Sequence, residues 1–431
     1  MNEVLSIAIF LFALFFLLGT SVWVGASLLL TAMLGMYLFT SAPIGDALAL
    51  TVWGSQSSWT LTALPLFVWM GEILYRTNLS ETLFRGIAPF MRRLPGSLLH
   101  VNVGASAVFA AISGSSAATV ATVGKMAIPE LRKRGYPEKQ IVGSLAGAGT
   151  LGLLIPPSIS MIIYGVTVNE SIAQLFMAAM IPGVSLALLF MGYIIFWGMR
   201  NPSAFEPEPS ISLGEKLKAF LGLLPVVALI LAVIGSIYGG IATATEAAAL
   251  GVLGSFVLAA FQRTLTFESF VESVIGAVRT NTMIMFILMG SGFLSLAMGF
   301  TGIPKALAEG ISLWDPSPMV LILTLTFFYI ILGCFLDGIS SIVLTMAVIE
   351  PMVRAAGFDM LWFGVYLMIV VEMAQITPPI GFNLFVLQGM TGHDIGFIAK
   401  SAIPSFLVMC LFIGVLVAFP DLALWLPGVL K

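Results

Sequence analysis

A pair of adjacent prolines interrupts an apolar segment of this chain, and the same arrangement returns 222 residues further along. Pro156-Pro157 lies in GTLGLLIPPSISMIIYG, and Pro378-Pro379 lies in MAQITPPIGFNLFVLQG. Two prolines in a row open a helix, because each removes a backbone donor and clashes with the preceding turn. The same offset pairs further residues: Pro129 with Pro351, Arg132 with Arg354, Gly135 with Gly357, and Pro182 with Pro404. The chain must therefore hold two related halves, each with an interrupted helix.

Composition decides the environment in which these halves fold. Hydrophobic residues make up 59% of the 431 residues and charged residues only 9%, whereas soluble domains carry about 25% charge. The segment from Val4 to Phe39 has no charged residue. Uncharged runs of this kind are long enough to cross about 30 Å of hydrocarbon. The sequence predicts an all-α polytopic membrane protein in a lipid bilayer.

The polar segment 201–218 separates a first repeat, 1–200, from a second repeat, 219–431. Each repeat is expected to contain a helical hairpin and a helix broken at its proline pair. The hairpins are predicted near 97–130 and 317–355, and the broken helices near 139–165 and 359–391. Other spans are predicted near 4–19, 21–40, 59–76, 175–199, 219–237, 243–262, 275–300 and 402–420, with amphipathic stretches at 79–93 and 303–312.

The arms of each hairpin are short and punctuated by glycine and serine, which favours re-entrant hairpins that enter and leave on one side. Each repeat then crosses the membrane five times, and the two repeats have inverted topology, as in many ion-coupled transporters. If the hairpins crossed fully, the repeats would be parallel. Lys and Arg cluster around the first hairpin, so the positive-inside rule places it at the cytoplasm and the second hairpin and both termini outside.

The hairpin tips and the proline breaks are the candidate binding elements. Backbone groups without helical partners survive at membrane depth only when they are buried in protein or line a wet cavity. The tips 113–119 and 337–341 combine small residues with hydroxyls, and the breaks free the carbonyls of 150–155 and 372–377. Such oxygens suit Na⁺, and half-helix N-termini favour anions. Tight helix packing and a simple kink are the structural alternatives.

Charge within a span is costly, so each such residue is a functional candidate. Asp337 is the strongest because it lies at a hairpin tip, whereas Glu246 could equally hold two spans together. The others are Glu72, Lys125, Arg279 and Glu372. No phosphate-binding GxxxxGK[ST] segment, metal-ligand cluster or group of nucleophile and base is present, which argues against an enzyme. Nothing in the sequence indicates nucleic-acid binding.

Several segments resemble the large membrane subunit of tripartite ATP-independent periplasmic (TRAP) transporters. They are LPLFVWMGEIL (64–74), AAISGSSAATVATVG (110–124), RGYPEKQIVGSLAGAGTLGLLIPPSI (134–159), GGIATATEAAALG (239–251) and TPPIG (377–381). The resemblance covers nearly the whole chain in the same order.

The resemblance implies a scaffold and a mobile transport domain that work as an elevator driven by an inward Na⁺ gradient. It implies a location in the bacterial inner membrane, a small four-helix membrane subunit as partner, and a periplasmic substrate-binding protein. That protein would deliver an organic acid anion, commonly a dicarboxylate or sialic acid.

Carried onto this sequence residue by residue, the resemblance also implies a binding site. The Na⁺ candidates are Ser113, Gly114, Ser116, Thr150, Gly152 and Pro156 in the first half, and Asp337, Gly338, Ser340, Glu372 and Thr377 in the second. The candidates for substrate binding between the tips are Ser115, Ser116, Thr119, Ser158, Ser341 and Asn383.

Two other classes of function remain open from the sequence. A stand-alone ion-coupled anion carrier of related inverted-repeat fold would need no binding protein. A channel or a membrane-embedded enzyme is a more distant alternative, because no ring-forming charged segment is present.

Overall fold

The computed structural model describes residues 3–20, 22–76, 79–204, 212–301, 317–379 and 381–430. Every regular element within these ranges is a helix, which confirms the all-α prediction. The amphipathic stretch predicted at 303–312 lies outside the described residues.

The first half contains eleven described α-helices, with a 3₁₀ turn at Trp59–Thr62 between the third and fourth. They are α1 (Glu3–Gly19), α2 (Val24–Phe39), α3 (Ile44–Gln56), α4 (Ala63–Tyr75), α5 (Leu79–Met91), α6 (Leu99–Ser113), α7 (Ser116–Lys133), α8 (Glu138–Gly149), α9 (Leu151–Leu154), α10 (Ile159–Thr167) and α11 (Ile172–Arg200).

The described helices of the second half follow after a short 3₁₀ turn at Pro202–Ala204. They are α12 (Leu213–Tyr238), α13 (Ala244–Phe261), α14 (Phe267–Thr301), α15 (Pro318–Gly333), α16 (Gly338–Ala355), α17 (Met360–Gln375), α18 (Phe382–Thr391), α19 (Ile395–Ala418) and α20 (Asp421–Val429).

The turns after α7 and α16 show how the repeated residues act on the backbone. Gly135 and Gly357 have positive φ angles of 73° and 80°. Their N–H groups donate to the carbonyls of Arg132 and Arg354, each at 3.0 Å. Glycine tolerates this left-handed conformation without steric cost and therefore ends both helices. The repeat of arginine and glycine in the sequence is thus a repeat of helix ends in the structure.

The structure contains two helices where the sequence analysis placed no element, α3 and the C-terminal α20. α3 follows Pro43 and carries Asp46 in its first turn, which favours a helix start. It is short and holds a charge, so it gave no signal of a membrane span. At the 222-residue offset, α3, the 3₁₀ turn and α4 correspond to the single continuous helix α14. The first half is therefore interrupted where the second half is straight.

The polar segment predicted as a connecting loop at 201–218 is partly helical, because α12 already begins at Leu213. Its start is fixed by a capping box. The Ser212 hydroxyl accepts from the backbone N–H of Glu215 at 3.2 Å, and the Glu215 carboxylate accepts from the N–H of Ser212 at 3.0 Å. These reciprocal bonds satisfy two donors that a helix start leaves unpaired. The hydrophilic composition of this segment concealed the helix.

Six described helices are long and apolar enough to cross a membrane, namely α11, α12, α13, α14, α16 and α19. The bent pair formed by α8–α9 and α10, with a 42° angle at its break, makes a seventh candidate. Several aromatic side chains on the outside are largely exposed, among them Phe12, Trp23 and Trp53. Hydrocarbon is a favourable surrounding for such side chains, so these findings agree with a multi-pass membrane protein.

Helices from the two halves are interleaved. α2 packs along α14, and α4 packs along α13. The approach of α2 and α14 is close: a Cβ atom added to Gly290 would lie 2.6 Å from the carbonyl oxygen of Gly25. Elsewhere α7 contacts α18, and α10 contacts α16. The core is consequently shared between the halves and brings their tips and breaks together.

Candidate functional site

The first hairpin tip is a two-residue turn, and hydroxyls of the two flanking helices bond to one another beside it. α6 ends at Ser113, and Gly114 follows with a positive φ of 57°. Ser115 precedes α7, and its hydroxyl accepts from the N–H of Ala118 at 3.5 Å. The hydroxyl of Thr119 lies 3.1 Å from that of Ser113 and donates to the carbonyl of Ser115 at 2.8 Å. The predicted tip residues therefore form one local network that fixes the turn.

The second tip is organised by Asp337. Its Oδ2 atom accepts from the N–H groups of Ile339 at 3.1 Å and Ser340 at 3.3 Å. A carboxylate at this position satisfies orphan donors and interacts favourably with the positive end of α16. Ser340 and Ser341 follow in the first turn and are buried. The structure gives Asp337 a capping role, which is compatible with ion binding but explains its position without it.

The first proline break separates α9 from α10. Pro156 and Pro157 are joined by a cis peptide bond, and the buried Ser158 hydroxyl accepts from the N–H of Met161 at 3.4 Å. Upstream, the Thr150 hydroxyl donates to the carbonyl of Gly147 at 2.6 Å. The helix is thus interrupted twice within a few residues, and both interruptions are lined by a hydroxyl.

The second break separates α17 from α18 and repeats this pattern. Pro378 and Pro379 are also joined by a cis peptide bond, and the Thr377 hydroxyl donates to the carbonyl of Met373 at 2.6 Å. The side-chain amide of Gln375 donates to the carbonyl of Leu336 at 3.2 Å. Gln375 therefore ties this break to the second hairpin tip. Sequence reasoning overlooked it, although a polar residue two positions before Thr377 in an apolar segment was a usable signal.

Glycines allow the first tip to lie directly on the first break. A Cβ atom at Gly152 would lie 2.5 Å from the Cα atom of Ser116. A Cβ atom at Gly114 would lie 2.9 Å from the backbone nitrogen of Ile159 and 3.1 Å from the carbonyl oxygen of Pro157. Because the neighbouring atoms belong to the backbone, they cannot move aside for a Cβ atom as the end of a flexible side chain could. These contacts bring the predicted residues Gly114, Ser116 and Gly152 together.

The second tip reaches the first break as well as its own half. A Cβ atom at Gly338 would lie 2.8 Å from a side-chain carbon of Leu153 and 3.2 Å from one of Val371. Leu153 belongs to α9, which also packs against α17. Both tips therefore converge on the α9–α17 contact.

Glu372 lies at this convergence. It is fully buried, and the Ser116 hydroxyl of the first tip faces its carboxyl group. Neither carboxyl oxygen has a hydrogen-bond partner of good geometry among the described residues. A buried, uncompensated carboxyl is expensive, so an unpartnered one needs a reason. This position joins a residue of the second half to the tip of the first.

Asn383 and Ser341 are two further buried polar side chains without a hydrogen-bond partner in the described parts of the chain. Both amide atoms of Asn383 and the hydroxyl of Ser341 are unpaired, and both residues are fully buried. Asn383 lies in the first turn of α18, and Ser341 in the first turn of α16. Among the described residues, no hydrogen bond connects Asn383 to either tip. Asn383 and Ser341 therefore remain separate candidates for ligand contact.

Lys125 and Arg279 are exposed at the surface of the protein. The other two charged candidates, Glu246 and Glu72, have ordinary partners. Glu246 forms a capping box with Thr243 at the start of α13, with bonds of 2.8 Å and 3.3 Å, so it caps its own helix. Glu72 pairs with Arg76 at 3.2 Å, and Arg76 also reaches Glu272 on α14 at 2.8 Å. These contacts account for Glu246 and Glu72 and leave Glu372 as the distinctive case.

Taken together, the helical fold and the two tips set against broken helices are features of a membrane transporter. A family model described as "Tripartite ATP-independent periplasmic transporter, DctM component" matches residues 11–422. The chain therefore belongs to this family, the large permease subunits of TRAP transporters. It is a transport protein and not an enzyme.

Relatives and solved structures agree with this assignment. The chain is 31% identical to the C4-dicarboxylate TRAP transporter large permease protein DctM of Pseudomonas aeruginosa, over 93% of this chain and 94% of that one. It is also 31% identical to the sialic acid TRAP transporter large permease protein SiaM of Vibrio cholerae, covering 94% of each. The YdaH transporter of Alcanivorax borkumensis has a similar fold, with a TM-score of 0.63 at 12% identity, over 93% of this chain and 96% of that one.

Proposed function

We propose that this chain is the large permease of a sodium-coupled transporter that imports a small organic acid anion. The observation that carries the proposal is the contact between the Ser116 hydroxyl of the first tip and the fully buried Glu372 carboxyl, at a point where both tips and a proline break converge. Such a site offers oxygen atoms in protein surroundings at membrane depth, which is the setting in which secondary transporters bind ions and substrate.

The donor set fits Na⁺. Among the described residues, no group of three or more His, Cys, Asp or Glu side chains is placed to hold a metal ion. Hydroxyls, two carboxylates and carbonyls freed by the proline breaks are hard oxygen ligands instead. The residues that would hold Na⁺ are Ser113, Gly114, Ser116, Thr150, Gly152 and Pro156, with Asp337, Gly338, Ser340, Glu372 and Thr377. Bound Na⁺ would supply the positive charge that an anionic substrate requires between the tips.

Movement of the site across the membrane would follow the elevator scheme. α1–α5 and α12–α14 would form the scaffold, and α6–α11 with α15–α20 the mobile transport domain. The support is the packing within these groups. Hydrogen bonds that cross between them include those from the Ser291 hydroxyl to the carbonyl of Val343 at 2.6 Å and from the Tyr238 hydroxyl to the carbonyl of Phe176 at 2.8 Å. Each Na⁺ that crosses in excess of substrate charge contributes about 2.3 kcal/mol per 100 mV.

The proposed partners are a small four-helix membrane subunit and a periplasmic substrate-binding protein in a bacterial inner membrane. The names of the two relatives suggest a C4-dicarboxylate or a sialic acid as substrate. The alternative is a stand-alone ion-coupled anion carrier of related inverted-repeat fold, which would need no binding protein.

Reconstituted uptake tests the proposal. The chain is purified with its small partner and placed in liposomes, and uptake of labelled succinate and sialic acid is measured. Binding protein and an inward Na⁺ gradient are each supplied or omitted. We expect concentrative uptake only when both are present. Uptake that is the same with and without the Na⁺ gradient would contradict sodium coupling. Na⁺-driven uptake without a binding protein would support the stand-alone carrier.

A further inference from the structure

Two arginines at the ends of α7 and α16 make the same contact in the two halves. Arg132 Nη2 donates to the carbonyl of Thr391 at 3.3 Å, and Arg354 Nη2 donates to the carbonyl of Val168 at 3.0 Å. The arginines are 222 residues apart, and the acceptors come within one residue of the same offset. The contact is therefore duplicated with the helices that carry it.

Both acceptors lie at the C-terminal end of a half-helix. Thr391 is the last residue of α18, and Val168 directly follows the last residue of α10. The final carbonyls of a helix have no intrahelical donor and carry a partial negative charge. A guanidinium group at these positions satisfies an orphan acceptor and stabilises the negative end of the helix.

Each contact joins one half of the chain to the other. Arg132 belongs to the first half and binds α18 of the second, whereas Arg354 belongs to the second half and binds α10 of the first. α18 packs against α7, and α10 packs against α16. α18 and α10 each begin just after a proline break, and the arginine binds the other end of the helix, its C-terminus. Arg132 of the first half thus holds a helix that follows the break of the second half, and Arg354 of the second half holds a helix that follows the break of the first.

Carboxylates hold both guanidinium groups in place. Arg132 donates to both oxygens of Glu138, from Nε at 2.5 Å and from Nη2 at 3.1 Å. Arg354 pairs with Glu350 at 2.9 Å and with Glu170 at 3.4 Å. A planar guanidinium fixed by carboxylates loses little additional entropy when it makes one more bond. The groups are thus pre-oriented toward the carbonyls.

We propose that Arg132 and Arg354 are matched positioning residues that clamp α18 and α10 to the hairpin arm of the opposite half. With the C-terminus fixed, the N-terminal end of each half-helix cannot slide or tilt. Asn383 at the start of α18 and Ser158 before α10 then keep their positions. The effect on substrate binding rests on the proposed transport function, whereas the clamp itself is a property of the folded chain.

Hydrogen exchange of the purified full chain tests the clamp directly. In Arg132→Gln we expect amide exchange in residues 382–391 to accelerate about fivefold, while residues 159–167 are unchanged. In Arg354→Gln the pattern is reversed. Arg200→Gln is the matched control, because the Arg200 guanidinium lies over the Phe196 ring of its own helix, 4.5 Å from the ring centroid. The control should leave both segments unchanged.

A local role would give a different pattern. Exchange that accelerates only near the substituted arginine, or equally in α10 and α18, would overturn the proposal. If a glutamine variant does not fold, Arg132→Lys and Arg354→Lys answer the same question, because lysine keeps the charge but loses the two-pronged contact. Their exchange should rise in the same segments by a smaller factor.

Uptake kinetics separate positioning from bulk stability. We expect Arg132→Gln and Arg354→Gln to raise KM for substrate while kcat is largely kept, and the lysine variants to recover part of the loss. A fall in kcat with KM unchanged would contradict positioning. If wild-type protein shows no uptake, the proposed function is wrong. The hydrogen-exchange pattern then still tests whether the two arginines clamp α18 and α10.

Discussion

At the scale of single residues, the site depends on contacts between distant parts of the sequence. Ser116 and Glu372 are 256 residues apart, and their side chains face each other in the core. Sequence reasoning named Ser116 because it lies in a hairpin tip and Glu372 because it is a charge within an apolar span. It could not pair them, because their meeting depends on how the halves interleave, which no local pattern encodes.

Glu372→Gln tests the carboxylate as a ligand for Na⁺. The amide keeps the shape of the side chain but removes the charge, so we expect apparent Na⁺ affinity to fall about tenfold or more. The measurement is uptake as a function of Na⁺ concentration. Glu246→Gln is the control, since glutamine also completes a capping box. Unchanged Na⁺ dependence in Glu372→Gln would remove Glu372 from the proposed ion site.

Gly152→Ala tests the close approach of tip and break. Its Cβ atom would lie 2.5 Å from the Cα atom of Ser116, so backbone must move, and we expect a loss of about 1–3 kcal/mol in the free energy of unfolding. Gly192→Ala is the control, because nothing lies within 4 Å of its Cβ position. That variant should match or exceed wild-type stability. Thermal unfolding in detergent compares them, and equal melting temperatures for Gly152→Ala and wild type would contradict the packing.

At the scale of elements, glycine and proline residues allowed several helix ends to be predicted from the sequence. Gly114, the proline pairs and the glycines after Arg132 and Arg354 marked where α6, α7, α9 and α16 begin or end, within a few residues. α3 and the start of α12 were missed for the opposite reason. Their polar and charged residues serve as helix starts, as Asp46 and the Ser212 capping box show, but such residues also resemble loops.

Asp337 allows the capping role of a residue to be separated from its charge. Asparagine is also a good N-cap, so Asp337→Asn should keep the stability of wild type, whereas Asp337→Ala should lose about 0.5–2 kcal/mol. As a proposed Na⁺ ligand, the carboxylate also contributes charge, so both variants should show weaker Na⁺ affinity in uptake assays. If Asp337→Asn binds Na⁺ like wild type, then Asp337 is a helix cap alone.

At the scale of the whole molecule, the boundary between proposed scaffold and transport domain carries a buried hydrogen bond. The Ser291 hydroxyl on α14 donates to the carbonyl of Val343 on α16. An elevator movement must break this bond, because its two partners lie on opposite sides of the boundary. The sequence could assign helices to halves, but it could not show which residues bond across the proposed boundary, because Ser291 and Val343 are brought together only by the packing.

Ser291→Ala should therefore shift the balance between transporter states. Loss of a bond worth about 1 kcal/mol changes a population ratio about fivefold, away from the state described by this structure. Distances between spin labels on α13 and α19 would report the populations. Ser255→Ala is the control, because the Ser255 hydroxyl bonds to the carbonyl of Gly251 within its own helix. Identical distance distributions in wild type and Ser291→Ala would contradict the assignment of the boundary.

The interleaving of the halves has a consequence for how the protein is made. α2 completes its packing only against α14, and α7 only when α18 is present. Synthesis delivers the first half earlier, so these helices enter the bilayer before their partners have left the ribosome. Until then their glycine-lined surfaces face lipid or the insertion machinery. A chain that stops before α14 and α18 would therefore leave these surfaces of α2 and α7 uncovered.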